Sequence, residues 1–156
     1  MLPPTQTFSA GERQRLAELV PSARYAVEDL IGRCNAVGLH LRVGETYRPR
    51  EEQAARVAKG QSATSRSWHS VRRAVHLYPL YGEGNRIADV SGKRKDLAAI
   101  LHEEARAVGF KAAGGTTDWW RVLKGKNGTF TDPFHFEWRE GLTFAQALAK
   151  MPGKVA

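Results

Sequence analysis

The sequence predicts an α+β domain, a small antiparallel sheet with helices flanking it. Three observations carry that expectation. Residues 9–37 and 93–109 repeat apolar residues at helical spacing, whereas 39–47, 74–78 and 135–138 alternate in the manner of half-buried strands. The two patterns come in mixed order along the chain.

The first helical stretch opens at Ser9, where Glu12 three residues later completes a capping-box pattern, and Leu16, Leu19 and Val20 keep the spacing. Pro21 and Ser22 mark a restart. Val27, Leu30, Ile31 and Cys34 then form the apolar stripe of a second helix that Gly38 stops. In "LHLRVGETY", Leu39, Leu41 and Val43 point inward against His40 and Arg42, as a strand does. "PREEQAARVAKG" reads as a helix with Pro49 near its first turn and Gly60 at its end. A polar loop leads to "SWHSVRRAVHLYP", whose second half alternates, so that Ala74, His76 and Tyr78 share a face. Residues 93–109 give an amphipathic helix ending at Gly109, with His102 expected at its surface or boundary. A loop with Trp119 and Trp120 precedes the strand "HFEW" and a short final helix, "TFAQALAKM".

The totals exclude several classes. With 156 residues, 42% hydrophobic and 26% charged, the chain fits one globular domain. No run approaches the roughly 18 apolar residues of a membrane span, so no stable membrane insertion is expected. The N-terminus has no basic segment followed by an apolar one, unlike a secretory signal. Cys34 is the single cysteine, which rules out an intrachain disulfide and an all-cysteine zinc site; it reads as a small core residue. The net charge of +8 is spread along the chain, and its densest run, "GKRKD" at 92–96, carries no nucleic-acid fingerprint. A solvated basic face, or attraction to an anionic envelope, accounts for it better than nucleic acid does.

Five histidines are the chemistry-bearing residues. His40 faces outward without acidic or cysteine neighbours and reads as structural. His69, His76 and His135 remain. In "TDPFHFEW", Phe136 and Trp138 face the core while His135 and Glu137 share the opposite face, and Asp132 precedes His135 by three. Three neutral imidazoles with one open position suit a catalytic zinc, and a nearby carboxylate suits a base. Chance convergence of distant histidines is the competing explanation.

The segments "ETYRPREEQ" at 45–53, "SWHSVRRAVHLYP" at 67–79 and "DPFHFEW" at 132–138 resemble the zinc D,D- and L,D-peptidases that cut peptidoglycan stems. The phage L-alanyl-D-glutamate endopeptidases fit best, because the distal motif carries Asp. The family signature is S-x-H-x-x-G-x-A-x-D, followed much later by a carboxylate, two residues and a histidine. Ser67, His69 and Ala74 match in register, as do Asp132 and His135. The resemblance runs over about residues 10–140 and implies a single catalytic domain, 1–156, with the fold of the hedgehog and D-Ala-D-Ala peptidases. Two positions depart from it. Arg72 stands where the family has glycine, so a close backbone approach there must be made another way. His76 stands where the family has its aspartate ligand, which leaves a bound dication about one unit more positive.

Three readings of His76 follow: a true ligand in a three-histidine site, the mark of a disabled site, or a position whose ligand role passes to another carboxylate such as Asp89. The resemblance further implies Zn2+ on His69, His76 and His135, Asp132 as general base and proton donor, and Arg48 as the cation steadying the carbonyl oxygen. Ser67, Gln53 and Trp119 are expected to line the substrate cleft, Glu137 to orient a ligand histidine, and Tyr47 and Tyr78 to pack. The expected substrate is the peptidoglycan stem peptide, cut at L-alanyl–D-glutamate by a monomeric endolysin. Cleavage at terminal D-alanines and a non-catalytic wall-binding or virion-associated module are the alternatives. Synthesis in a host cytoplasm, with passage to the wall through a separate pore, completes the expectation.

Overall fold

A computed structural model describes residues 2–3, 5–62, 64–88, 94–112, 123–125, 128–130 and 134–151, with backbone alone at 95, 111–112, 123–125 and 128–130. Helices α1 (Ala10–Ala17) and α2 (Pro21–Ala36) come first, then β1 (Leu41–Val43) and α3 (Arg50–Ala58). A 3₁₀ turn at Trp68–Val71 leads into β2 (Ala74–Tyr81) and β3 (Arg86–Ile87). Next come α4 (Lys95–Val108), β4 (Lys111–Ala112), β5 (Leu123–Gly125), β6 (Gly128–Phe130), β7 (His135–Glu137) and α5 (Phe144–Ala149). One sheet has the order β1-β2-β7-β4, with β3 also on β2, and β5 pairs β6 separately; every pairing is antiparallel. The α+β expectation stands.

Local chemistry accounts for the helix ends. Ser9 and Glu12 form the capping box of α1, and Thr143 and Gln146 form another at α5. Pro21 occupies the first turn of α2, where its missing N–H costs nothing. Pro49 is the N-cap of α3, and Gly109 closes α4 at φ 115°.

The main core lies between the sheet and the α2–α4 pair, around Leu30, Ile31, Leu41, Leu77, Leu101 and Phe136. In β2 and β7, Val75 opposite Phe136 turns into this core, so the flanking residues His76, His135, Ala74 and Glu137 fall on the other face. A second cluster joins Trp68 and Val71 of the 3₁₀ turn to α5, with Phe144 edge-on to Trp68 at 6.1 Å. His102 departs from its expected boundary position. It is fully buried, its ring facing Phe136, because Ala98, Leu101, His102 and Ala105 together make a wide inward stripe on α4.

The exit of β1 is gripped from α1. Glu12 accepts from the Val43 N–H (2.9 Å), Arg15 donates to the Val43 carbonyl, and the Thr46 hydroxyl donates to the Arg15 carbonyl (2.7 Å). Past β1 the pairing with β2 continues irregularly. Gly44 N–H donates to the His76 carbonyl (2.8 Å) while His76 N–H donates to the Glu45 carbonyl (2.9 Å), so two residues oppose one. Such a bulge re-aims the side chains around it. A Cβ on Gly44 would stand 2.7 Å from the Tyr78 ring, which is why this position takes glycine.

Arg72 explains the departure at the glycine position. It caps the 3₁₀ turn in the left-handed conformation, φ 60° and ψ 36°, so what the turn needs there is positive φ. The arginine holds that conformation with its guanidinium 4.0 Å above the Tyr47 ring and a hydrogen bond to the Glu18 carbonyl (3.1 Å).

Candidate metal centre

Three elements bring the three histidines together. His69 comes from the 3₁₀ turn, where the Ser67 hydroxyl accepts from its backbone N–H at 3.3 Å. His76 and His135 come from directly opposed positions on β2 and β7. The ring centroids lie 4.7 Å (His69–His76), 4.9 Å (His69–His135) and 5.3 Å (His76–His135) apart. One nitrogen from each ring lies within 4.8 Å of the other two.

The partners of the outer nitrogens decide which atoms face inward. His69 Nδ1 is 3.0 Å from the Thr46 carbonyl oxygen, which only accepts, so Nδ1 carries the proton and Nε2 is left as an acceptor. His135 Nε2 is 2.9 Å from Glu137 Oε1, which makes Nδ1 the acceptor on that ring. Glu137 is buried and held in turn by Arg139 through Oε2. The two acceptors, His69 Nε2 and His135 Nδ1, stand 3.2 Å apart, and His76 Nε2 is 3.4 Å from His135 Nδ1. Nitrogens on a tetrahedral zinc with bonds of about 2.0–2.1 Å sit about 3.3 Å from one another. Facing lone pairs repel between neutral rings and become favourable around a cation. The donor set therefore fits a divalent metal, with a carbonyl and a carboxylate behind the ligands as metal-binding histidines commonly have.

Electrostatics point the same way. Burial first, then the neighbouring His135 and His76, lower the His69 imidazole well below the ordinary histidine range; Arg48 adds to this and the bond to Thr46 opposes it. A buried ring kept neutral is in the state a metal requires.

The remaining sequence-predicted residues fall into three groups. Arg48 is buried beside the site, and its donors are engaged by Glu45 (Nε to Oε2, 3.1 Å, and NH2 to Oε1) and by Gln53 Oε1 (2.6 Å). Gln53 is buried too and donates to the Ser62 hydroxyl and the Thr64 carbonyl, while Ser67 caps the turn that carries His69. Tyr78 packs between His76 and Phe134, as expected of it. Asp89, Trp119, Trp120 and Asp132 lie outside the described residues.

Sequence reasoning missed Glu45. Its Oε1 is 4.0 Å from both His69 Nε2 and His76 Nδ1. The available signal was an acid three residues before Arg48 and directly after a strand glycine.

No family model matches the chain. A curated L-alanyl-D-glutamate peptidase from Listeria phage A118 is 29% identical over 115 residues, covering 74% of this chain and 39% of the relative. The chain thus spans about two-fifths of that protein's length. Among solved structures, the L-Ala D-Glu endopeptidase ChiX of Serratia marcescens superposes with a TM-score of 0.55 at 22% identity, over 90% of this chain and 92% of that one. The vancomycin-resistance D,D-pentapeptidase VanY from the VanB-type cassette, solved in complex with Zn(II), gives a TM-score of 0.46 at 19% identity over 83% of each chain. The chain has the fold of the L-Ala D-Glu endopeptidase, and its resemblance to the zinc D,D- and L,D-peptidase family holds in both sequence and fold.

Proposed function

We propose that the chain is a zinc-dependent peptidoglycan peptidase of the phage-endolysin type, hydrolysing the L-alanyl–D-glutamate bond of the stem peptide. The observation that carries this reading is the convergence of three imidazoles, with His135 Nδ1 3.2 Å from His69 Nε2 and 3.4 Å from His76 Nε2. Similarity to the phage L-alanyl-D-glutamate peptidase supports the choice of bond.

Zinc, when bound, supplies a Lewis acid and lowers the pKa of water to near 7. The protein residues do the rest. His69, His76 and His135 hold the ion, with Thr46 and Glu137 fixing two of the rings. Asp132, three residues before His135, takes the proton of the attacking water and returns it to the leaving amine. Arg48, oriented by Gln53, places a fixed cation next to the reacting carbonyl. Trp119 walls the cleft, while Gln53 and Ser67 shape it through the 62–64 loop and the 3₁₀ turn. The positive net charge draws a monomer toward the anionic wall. A separate pore is the route we assign from the host cytoplasm to the wall.

Digestion of purified sacculi, followed by mass analysis, tests the proposal. New N-terminal D-glutamate ends that disappear with a chelator are expected. Free D-alanine would instead make it a carboxypeptidase. Sacculus binding without new amino groups, indifferent to chelator, would make it a non-catalytic wall-binding module.

A further inference from the structure

Glu45 stands where nothing in the resemblance places a carboxylate, and its position is over-determined. The main chain is pinned to His76 through the bulge, with the Glu45 carbonyl accepting from His76 N–H at 2.9 Å. The carboxylate is gripped by Arg48 at both oxygens and reached by Arg56 at Oε2 (3.5 Å). Oε1 is thereby turned to within 4.0 Å of His69 Nε2 and of His76 Nδ1, on the side of the site shared by those two rings. Neutralising Arg48 alone would not require the acid to stand between two imidazoles.

The charge at the centre supplies the reason. Three imidazoles leave a dication uncompensated, whereas the family's two histidines and one aspartate remove one unit. We infer that Glu45 is the anionic member of this metal centre, restoring through Oε1, from just outside the ligand rings, the negative charge that His76 removes. The inference rests on the proposed zinc site. At 4.0 Å from His69 Nε2 and from His76 Nδ1 the carboxylate acts on the ion through space, just outside the three rings, and the fourth tetrahedral corner stays open for water. Arg48 and Arg56 then act as positioning residues, keeping the acid ionised and aimed.

Zinc affinity by chelator competition, with Glu45→Gln beside wild type, tests the inference. Glutamine keeps the shape and an acceptor for Arg48 but has no charge. We expect one zinc per chain in both, with affinity at least about tenfold weaker in the variant and an altered Co2+ absorption spectrum. Equal affinity and an unchanged spectrum would overturn the role of Glu45 while leaving the histidine site intact. Failure of wild type to bind zinc at all would overturn both. A structure of the zinc-loaded wild type needs no variant to fold: Oε1 still 4.0 Å or less from His69 Nε2 and His76 Nδ1, with the fourth corner of the metal left to water, is the expected result, and Oε1 turned away from both rings would contradict it.

Discussion

His76 on β2 and His135 on β7 occupy one rung of the sheet, with Nε2 and Nδ1 3.4 Å apart. That rung is what makes two residues 59 positions apart act as one site. Antiparallel pairing sets their backbones opposite each other, and Val75 and Phe136 on the buried face fix the register, since a one-residue slip of either strand would turn its own histidine toward the core.

Behind His135 stands Glu137, whose Oε1 holds the outer ring nitrogen at 2.9 Å. Glu137→Gln should weaken zinc binding by about 10- to 100-fold with little change in thermal stability, because an amide orients the ring less surely and does not raise its basicity. Chelator competition and a melting curve on the same samples check both halves.

His69 predicts how the metal-free protein responds to acid. Its imidazole lies well below the unfolded value of 6.5, first because it is buried and then because His135 and His76 stand beside it. Above about pH 6.5 the ring is neutral in both states and adds nothing. Below it, the unfolded chain takes up a proton that the folded one refuses, so stability falls as the pH drops, by up to ~1.4 kcal/mol per unit. Urea unfolding between pH 7.5 and 5.5 should show this loss. The lowered Glu140 carboxyl, hydrogen-bonded to Arg73, adds its own loss only below its ordinary value of 4.5 and so falls outside the window.

Arg72 offers a test of backbone against side chain. Arg72→Gly relieves the left-handed conformation but loses the Tyr47 stack and the bond to Glu18; Arg72→Ala loses both contacts and keeps the strain. The glycine variant should be the more stable of the two by about 1 kcal/mol, or roughly 2–4 °C in Tm. Equal melting temperatures would show that positive φ is not what the turn demands.

Cys34 should be chemically silent. It is fully buried on α2, and burial, then the charge of Glu104, push its thiol up to about 12. A thiol reagent at pH 8 should label the native chain hardly at all and one site per chain in denaturant.

Much of this was legible in the sequence because the signals are local. The Ser9–Glu12 capping box, Pro21 in the first turn of α2 and Gly109 after α4 need only neighbours within a turn. His76, His135 and Glu137 could be placed on one face because strand alternation has period two. What was not legible depends on contacts distant in sequence. Only the pairing of the β1 exit with β2 creates the bulge that brings Glu45 to His76, 31 positions away. His102 was misplaced because the wide apolar stripe of α4 shows its purpose only when Phe136 packs against it. The glycine position taken by Arg72 suggested a close approach, whereas the structure shows a left-handed turn, a backbone property its side chain hides.

Calorimetric titration of the metal-free wild-type chain with Zn2+ at neutral pH, repeated on His69→Ala, His76→Ala and His135→Ala, tests the central claim most directly. The three-imidazole site predicts one ion per chain in wild type and a loss of affinity of at least about 100-fold in each variant. Absence of wild-type binding, or an affinity unchanged by removing any of the three rings, would contradict it.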